Sequence, residues 1–425
     1  MLSLAPMHAD EHPFFFTWSA QRSAQPMAIT GGEGAWFEVE GGARWLDFGS
    51  LSYQANLGHG QKRIADAIKR QCDALLLTVP SGLYPAKTQL ANALLAKAPP
   101  GFSKVFFTLG GAEAVENALK IARLVTGRHK TISRYRSYHG ATMGALALSG
   151  DYRRPVLEPA MVGAVHVLDC FESRLPGGQT VVEGGGSADA VARTLDLEGP
   201  RSVAAVFLEP VPGQNGCLVP PVGYWDAVRA ACDAHGTLLV ADCVLNGFGR
   251  LGTYYGFEAI GQASPDLITV SKGITGGYAP LGAVLVHERV ARHFDEHVLY
   301  AGLTFYGHPL GVAAGLEALR IYDEEGLVPR AAKLGAAFAA SLAALQDRHP
   351  ASIVRTRAKG LLGALELQVD DARFAAVVRQ LADERLYVHV NRQFKTLVLA
   401  PPLVATEADL AEGFARLGHV VSGLR

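Results

Sequence analysis

The chain has 425 residues, of which 49% are hydrophobic and 19% are charged, and its formal net charge is −1. It is long enough for a large domain with a buried sheet and a smaller second domain. The near-neutral charge excludes the strongly basic composition typical of nucleic-acid or anionic-membrane binding, so we expect small-molecule chemistry.

Five cysteines form an odd set with no C-x-x-C pair. This pattern predicts reduced thiols, without a disulfide framework, a zinc site or another bound metal. The first residues lack the basic start and apolar run of a signal peptide, and no stretch approaches the roughly 20 consecutive apolar residues of a membrane span. We therefore expect a cytoplasmic protein without a membrane partner.

Residues 34–48 alternate apolar and polar side chains around a Gly41-Gly42 turn, which predicts a β-hairpin. From about residue 60 to about residue 315, helical patterns alternate with short runs rich in β-branched residues. This order predicts a mostly parallel sheet with helices on both faces. A helix is predicted over 113–124, a flexible loop or edge excursion over 173–188, and strands over 104–109, 130–135, 203–211, 236–244 and 266–273.

After about residue 315 the pattern changes to long helices rich in alanine and leucine, at 311–323 and 330–347. Two strand-like runs, GLLGALELQV and TLVLAPPLV, and a final amphipathic helix follow. We therefore predict three parts: an N-terminal arm and hairpin that joins the small domain (1–55), a large domain (56–315) and a small C-terminal domain (316–425).

Three polar features follow predicted strands, at the sheet edge where α/β folds bind ligands. Gly110, Gly111 and Ala112 lie between a strand and a helix, where free backbone N–H groups suit an anion. Asp242 closes an apolar strand, and a buried carboxylate there needs a cationic partner, such as a protonated pyridine nitrogen or an arginine. Lys272 closes another strand, ahead of a glycine-rich loop that lets other groups approach its ammonium closely.

Each feature alone also has a structural explanation, since a Gly-Gly pair often forms a plain turn and a lysine after a strand is usually solvated. Together they suit pyridoxal 5′-phosphate (PLP). The backbone amides fit its phosphate, the carboxylate fits its ring nitrogen, and the lysine can form a Schiff base with its aldehyde. A buried lysine is favoured in this role because it loses its proton more easily.

The chain resembles the class III (subgroup II, fold type I) PLP-dependent aminotransferases over nearly its whole length. The resemblance implies a large domain with a mostly parallel, seven-stranded type of sheet, a smaller α+β domain, and a homodimer with shared active sites. The matching stretches are LGGAEAVENALKIAR, SYHGATMGALALSG, FLEPVPGQNG, VADCVLNGFGRLG, ITVSKGITGGYAPLGAV and GLTFYGHPLGVAAGLEAL.

The resemblance also implies roles for the three features at the strand ends. Lys272 would carry the Schiff base, and Asp242 would bind the pyridine nitrogen. Gly110, Gly111 and Ala112 would contact the phosphate.

Four further positions match the family pattern. Tyr138 would stack on one face of the cofactor ring and Val244 on the other, while Glu209 would lie beside the cofactor. Thr304 would reach the phosphate of the neighbouring subunit's cofactor. Without the resemblance, Tyr138 is equally consistent with a core aromatic, Glu209 with a structural hydrogen-bonding residue, and Thr304 with an ordinary turn residue. His139, next to Tyr138, is expected to orient the loop.

The chain departs from the family at three positions of the site. Cys243 replaces a carboxylate, and Leu245 stands where members that use glutamate commonly carry a glutamine facing the cofactor's phenolic oxygen. Gly110 replaces the usual serine or threonine. Cys243 and Leu245 leave open a degenerate, PLP-binding protein without activity, although Lys272 and Asp242 are both retained.

A fourth departure concerns the substrate. Many members that bind an α-carboxylate have an arginine three residues before the Pro-Pro pair, where this chain has Val398. A valine cannot replace a bidentate carboxylate clamp. Arg250 is expected to belong to a structural ion pair, with a substrate clamp as the alternative.

Trp18 and Tyr53 lie in an aromatic N-terminal region that resembles ω-aminotransferases acting on taurine, β-alanine or simple amines with pyruvate. Packing of Trp18 on a partner subunit is equally consistent with the sequence. We therefore expect a ping-pong aminotransferase that moves an amino group from an ω-amino acid, aminosulfonate or amine to a keto acid, chiefly pyruvate. The alternative is a PLP-dependent decarboxylase, racemase or aminomutase on the same fold.

Overall fold

The computed structural model describes residues 12–199 and 201–424, so the first part of the predicted N-terminal arm, residues 1–11, lies outside the described residues. The strands in chain order are β1 (Ile29–Glu33), β2 (Trp36–Val39), β3 (Arg44–Asp47), β4 (Phe102–Thr108), β5 (Lys130–Arg134), β6 (Ala164–Val167), β7 (Phe171–Arg174), β8 (Thr180–Glu183), β9 (Val203–Leu208), β10 (Leu238–Asp242), β11 (Leu267–Val270), β12 (Gly282–His287), β13 (Ile353–Lys359), β14 (Leu362–Leu367), β15 (Leu386–Tyr387), β16 (His389–Asn391) and β17 (Thr396–Leu399). The helices are α1 (Ser50–Tyr53), α2 (Lys62–Ala74), α3 (Pro85–Lys97), α4 (Gly111–Thr126), α5 (Met143–Leu148), α6 (Ala188–Glu198), α7 (Tyr224–His235), α8 (Glu288–Ala291), α9 (His293–Glu296), α10 (Pro309–Glu324), α11 (Leu327–Arg348), α12 (Asp371–Asp383) and α13 (Glu407–Ser422).

The largest sheet has seven strands in the order β4-β12-β11-β10-β9-β5-β6. Only β12 runs antiparallel to its neighbours within this sheet. All residues of β9 and of β11 are buried, because helices cover both faces of the sheet. The predicted α/β fold with a mostly parallel sheet is confirmed. The predicted strands overlap β4, β5, β9, β10 and β11, whereas β6 and β12 were not predicted.

A four-stranded sheet contains the predicted N-terminal hairpin. Its order is β1-β2-β3-β15, and the turn between β2 and β3 contains Gly41 and Gly42 at positive φ angles of 86° and 78°. β15 pairs in parallel with β3, so the N-terminal hairpin is joined to a strand from the C-terminal part of the chain.

The C-terminal strands build a six-stranded sheet in the order β16-β17-β14-β13-β7-β8. β7 and β8 come from the segment predicted as a flexible loop or edge excursion, and they form a hairpin that extends this sheet at its edge. Gly177 and Gly178, at φ 84° and 92°, make its turn, and Arg355 of β13 binds Glu183 of β8 at 2.6 Å. Of the two alternatives for 173–188, the structure therefore has the edge excursion and not the flexible loop. The boundaries 1–55, 56–315 and 316–425 stay a prediction.

Helix α11 is the one described helix that is long and apolar enough to cross a membrane by length and composition. Its inner face, with Leu334, Phe338 and Leu342, is buried among the sheet β13–β14 and helix α13. A core helix passes the same test of length and composition, so this is weak evidence for a span.

Candidate active site

A cavity of about 540 Å³ lies at the edge of the large sheet where β9, β10 and β11 have their carboxyl ends. It brings together residues that are far apart in sequence, from Trp18 to His389. The predicted site residues that line it are Trp18, Tyr53, Gly111, Ala112, Tyr138, Glu209, Asp242, Val244 and Lys272.

Lys272 follows β11 with a positive φ of 47°, a backbone conformation that is unusual for a residue with a side chain. Its side chain lines the cavity, with Nζ 5.3 Å from the centroid of the Tyr53 ring. Burial lowers the pKa of the Lys272 ammonium, and the carboxylates of Asp242 and Glu209 partly oppose this effect. The lowered pKa increases the fraction of neutral amine, which is the form that attacks an aldehyde.

Asp242, the last residue of β10, is 2% exposed. Its Oδ1 accepts hydrogen bonds from the Val244 amide at 3.1 Å and the Thr269 hydroxyl at 3.0 Å. Its Oδ2 lies 2.7 Å from His139 Nδ1. Within the described part of the chain no arginine pairs with this carboxylate, and its ring partner is the imidazole of His139. His139 does more than orient its loop, because it contacts Asp242 directly.

Glu209 follows β9 and is 4% exposed. Its Oε1 accepts from the Tyr138 amide at 2.9 Å, and its Oε2 accepts from the Gly213 amide at 3.3 Å. Burial raises the pKa of Glu209 to about 7, and the neighbouring Asp242 carboxylate adds to the rise. Glu209 thus fixes the backbone beside Tyr138 and also faces the cavity.

The turn between β4 and α4 supplies the predicted anion site. Gly110 is the N-cap of α4, and the helix begins at Gly111. The first backbone N–H groups of a helix lack intrahelical partners and attract an anion. A Cβ on Gly111 would lie 2.7 Å from Val244 Cγ1, so only glycine fits beside this valine. Gly111 and Ala112 line the cavity; Gly110 is not among the lining residues.

These residues fit PLP by their chemistry. Lys272 offers a neutral amine for the aldehyde, and the buried Asp242 offers a carboxylate for the ring nitrogen. The N-terminus of α4 offers amides for the phosphate, and Tyr138 and Val244 offer apolar surface for the ring.

Thr304 lies outside this cavity. It is exposed, in the segment between α9 and α10, and it is not among the lining residues. The resemblance gave it a contact in the neighbouring subunit, which a single chain does not test.

Val398 and Arg250 are both buried. Val398 is 0% exposed in β17 and packs in an apolar cluster with Tyr53 and Leu245. The Arg250 guanidinium donates to the Leu361 carbonyl at 3.0 Å, the Pro401 carbonyl at 2.5 Å, Ser50 Oγ at 3.0 Å and Asn56 Oδ1 at 2.8 Å. Arg250 is therefore a structural residue, but the expected ion pair is wrong because these acceptors are all neutral.

Arg153, Gln214 and His389 are among the polar lining residues that the sequence analysis missed. The Arg153 guanidinium lies 3.8 Å from the Tyr138 ring centroid and 5.3 Å from the Trp18 ring centroid. It follows Tyr152 and precedes Arg154 in the run DYRRP, and nothing in the sequence distinguishes the two arginines. Only the fold turns Arg153 towards the cavity and pairs Arg154 with Glu158.

Trp18 lies at the entrance, 61% exposed, with its ring 6.4 Å from that of Tyr138 in an edge-on arrangement. The side chain of Gln21 closes the loop around it, accepting from the Phe16 amide and donating to the Phe16 carbonyl, both at 2.9 Å. This loop brings Trp18 to the cavity within one chain, and the neighbouring Phe14 and Phe15 are 59% and 85% exposed. Packing of Trp18 on a partner subunit stays a prediction.

Comparisons with known proteins show the family to which the chain belongs. The family model "Aminotransferase class-III" matches residues 18–421. A taurine–pyruvate aminotransferase of Rhodobacter capsulatus is 35% identical over 91% of this chain and 87% of its own length. An omega-aminotransferase of Caulobacter vibrioides is 32% identical over 92% of each chain.

Among solved structures, a taurine:2-oxoglutarate aminotransferase from Bifidobacterium kashiwanohense, in complex with PLP and glutamate, has a TM-score of 0.89 and 32% identity, and 99% of each chain is covered. The predicted PLP cofactor and the predicted enzyme class are confirmed by these matches. Because the family model covers almost the whole chain, the protein belongs to the class-III aminotransferases and is a PLP-dependent enzyme of the transaminase type.

Proposed function

We propose that this enzyme takes the amino group from a donor whose amine carbon bears no carboxylate, and that it passes this group to a short keto acid such as pyruvate. The donors we favour carry a remote acidic group, as an ω-amino acid or an aminosulfonate does. The observation that carries this proposal is the position of Arg153, the only arginine that lines the cavity among the described residues.

Arg153 is well suited to bind a remote acidic group. Its Nε donates to Asp151 Oδ1 at 3.0 Å and its Nη2 pairs with Asp151 Oδ2, so one edge of the guanidinium is held by a carboxylate that does not line the cavity. Stacking on the Tyr138 ring at 3.8 Å further fixes the guanidinium plane at the entrance side of the cavity. A carboxylate or sulfonate on the far end of a donor would meet a cation held in one orientation.

The buried Val398 supports the absence of an α-carboxylate on the donor. It stands where relatives that bind an α-carboxylate carry an arginine, and its 0% exposure places it behind Tyr53 and Leu245 in the apolar cluster. Leu245 likewise replaces the glutamine common in members that use glutamate. The taurine–pyruvate aminotransferase among the relatives has a donor and an acceptor of the proposed kinds by its name.

We propose a ping-pong mechanism in which the two half-reactions use the same cavity in turn. When bound, PLP supplies an aldehyde and a ring that withdraws electrons from the substrate carbon. Lys272 Nζ, with its lowered pKa, would serve as general base and acid for the 1,3-proton shift that transfers the amino group. Asp242 holds a proton on the ring nitrogen, and Tyr138 and Trp18 limit the access of water.

We also propose that the enzyme is a cytoplasmic homodimer. Large apolar side chains are exposed on two segments near Thr304: Leu77 and Leu83 are 83% and 92% exposed, and Tyr300 and Phe305 are 74% and 54% exposed. The Tyr84 hydroxyl donates to the Gly307 carbonyl at 2.6 Å, so the two segments adjoin. Such a surface is typical of a subunit interface, and it would bring Thr304 to the neighbouring active site.

The test is the first half-reaction, with Arg153→Met compared to the wild type. Donor alone should release its carbonyl product in an amount equal to the enzyme, whereas a decarboxylase or racemase would turn over donor without that limit. Arg153→Met should lower kcat/KM for taurine and β-alanine by about 30-fold, and for n-propylamine by much less.

Arg193→Met is the matched control, since Arg193 is exposed on α6 outside the cavity. It should leave all three donors unaffected. An equal loss for charged and uncharged donors in Arg153→Met would contradict the assigned role of Arg153.

A further inference from the structure

We propose that Gln214 binds the carboxylate of the acceptor keto acid through its side-chain amide N–H groups, with Tyr53 and His389 as positioning residues. This inference rests on the proposed function, because it names the group that recognises the acceptor in that reaction. The acceptor has a carboxylate on its reacting carbon, whereas the donor has none, so the active site needs a group that binds this carboxylate in one half-reaction only.

The side-chain oxygen of Gln214 is hydrogen-bonded, whereas its side-chain nitrogen is available to a ligand. Its Oε1 accepts a hydrogen bond from the Tyr53 hydroxyl at 2.6 Å, and its backbone carbonyl accepts from Asn391 Nδ2 at 3.3 Å. Its Nε2 has no hydrogen-bond partner among the described residues, and it is not among the buried unpaired atoms. Because Gln214 lines the cavity, this amide group is available there as a donor of two hydrogen bonds.

Tyr53 is held in place by unusual backbone geometry and by a ring stack. It has a φ of 62°, and Leu51 just before it has a φ of 49°. The Asp47 carboxylate anchors this segment by accepting from the Gly49 and Leu51 amides, both at 3.1 Å. Backbone strain of this kind persists only where the surroundings impose it, and it is common at ligand sites.

His389 forms the other side of the stack. Its ring lies 3.7 Å from the Tyr53 ring, at an interplanar angle of 18°, and its Nε2 lies 2.9 Å from the Gly49 carbonyl. Burial lowers the pKa of His389 to about 4, so the ring is neutral near pH 7. It therefore adds no positive charge beside Gln214.

Gln214, Tyr53 and His389 lie beside Val398, which stands where relatives carry the arginine that clamps an α-carboxylate. His389 and Val398 are directly paired across strands β16 and β17. A chain of contacts therefore runs from Val398 to His389, to Tyr53 and to Gln214. On the side of the cavity where relatives carry an arginine, this protein has the neutral amide of Gln214.

A neutral donor suits an enzyme with two different substrates. An arginine would favour every substrate with an α-carboxylate, and it would remain buried and unpaired beneath a donor that lacks one, at a considerable free-energy cost. An amide can hydrogen-bond the carboxylate of the keto acid and costs much less when no carboxylate is present. Gln214 thus accounts for an active site that accepts a keto acid in one half-reaction and a carboxylate-free amine carbon in the other.

The test varies the charge of the acceptor at a fixed amine donor. In Gln214→Leu the KM for pyruvate should rise about 10-fold, because a hydrogen bond to a charged group is lost. Gln214→Glu should raise this KM further by placing like charges together. For propanal, which has no carboxylate, both variants should change KM far less.

Two further variants distinguish direct binding of the carboxylate by Gln214 from an indirect effect on the shape of the cavity. Tyr53→Phe keeps the stacked ring and removes the hydroxyl that orients Gln214, so it should raise the KM for pyruvate more than that for propanal. Combined with Gln214→Leu, it should add little to that rise, because both changes remove the same contact. Gln262→Leu, at an exposed position outside the cavity, is the control and should change neither KM.

Binding of propionate to the PLP-loaded enzyme, measured by calorimetry, provides a readout without turnover. Its Kd should weaken about 10-fold in Gln214→Leu. An unchanged Kd, or equal losses for pyruvate and propanal, would overturn the role of Gln214. If the wild type binds propionate through Gln214 but transfers no amino group from any amine, the proposed function fails and the assignment of Gln214 holds.

Discussion

His139 and Asp242 form a buried pair, with His139 Nδ1 2.7 Å from Asp242 Oδ2 and side chains that are 0% and 2% exposed. An ionised carboxylate only accepts hydrogen bonds, so His139 donates its Nδ1–H. Its Nε2 has no partner among the described residues. The imidazole thus holds one carboxylate oxygen, while Val244 and Thr269 hold the other, and the orientation of Asp242 is fixed from two sides.

We expect the charge of Asp242 to matter more than its hydrogen bonds. Asp242→Asn keeps the shape and removes the charge that stabilises a protonated ring nitrogen, so kcat should fall by orders of magnitude. Thr269→Val removes one hydrogen bond to the same carboxylate and keeps the charge, and it should reduce kcat far less. Steady-state kinetics on the two variants measure this difference, and near-normal kcat in Asp242→Asn would mean that the carboxylate is structural.

Lys272 is predicted to bind the cofactor covalently. Lys272→Ala should fold, since the side chain lines a cavity, but should lose turnover and the visible absorbance of the lysine-bound cofactor. In the wild type, borohydride reduction followed by peptide mapping should place the label on Lys272. A label on any other lysine would contradict the assignment.

Much of this site could be predicted from the sequence, because the ends of parallel strands meet at one sheet edge. Asp242 and Lys272 each close a strand-like apolar run, and β10 and β11 are neighbours in the sheet. The two residues therefore had to be close together whatever the surrounding loops do. The alternating pattern predicted a mostly parallel sheet covered by helices, and the family resemblance implied its seven-stranded type.

The lining residues Gln214 and His389, beside Tyr53, could not be predicted in the same way. Gln214 lies in the loop after β9, and His389 comes from a different sheet, so no local pattern relates them to Tyr53. Their contact depends on how the N-terminal hairpin and the C-terminal strands pack on the large sheet. For a similar reason the sequence left a flexible loop and an edge excursion open for the β7–β8 hairpin, since its partner β13 is far away in the sequence.

The proposed homodimer predicts complementation between two defective subunits. Thr304→Ala should weaken PLP binding, and Lys272→Ala should abolish turnover. Mixing and re-associating the two variants should give heterodimers with one intact site, built from the Lys272 of one subunit and the Thr304 of the other. Activity above that of either variant checks this expectation, whereas sedimentation of a fully active monomer would refute it.

A half-buried histidine outside the active-site cavity, His166, predicts a specific loss of stability in acid. Burial lowers the pKa of His166 from 6.5 to about 4, and the charge of Arg154 adds to the effect. Between these values the unfolded chain binds a proton that the folded chain does not, so stability falls as pH falls from 6.5 towards 4. At about pH 5 the cost reaches up to about 2 kcal/mol.

His166→Gln removes this titration while keeping a polar side chain. Its melting temperature should therefore fall less than that of the wild type when the pH is lowered from about 7 to about 5. Parallel melting curves over this range measure the difference. Equal losses in the two proteins would show that His166 does not contribute to the acid sensitivity.

The central claim is that the donor's amine carbon carries no carboxylate, and the most direct test is a comparison of kcat/KM for taurine and L-glutamate with pyruvate as acceptor. Because Val398 leaves no clamp for an α-carboxylate and Arg153 can hold a remote sulfonate, we predict that taurine exceeds L-glutamate by about 30-fold or more. A higher kcat/KM for L-glutamate would contradict the account, because a donor with an α-carboxylate would then be preferred although Val398 replaces the arginine that clamps this group.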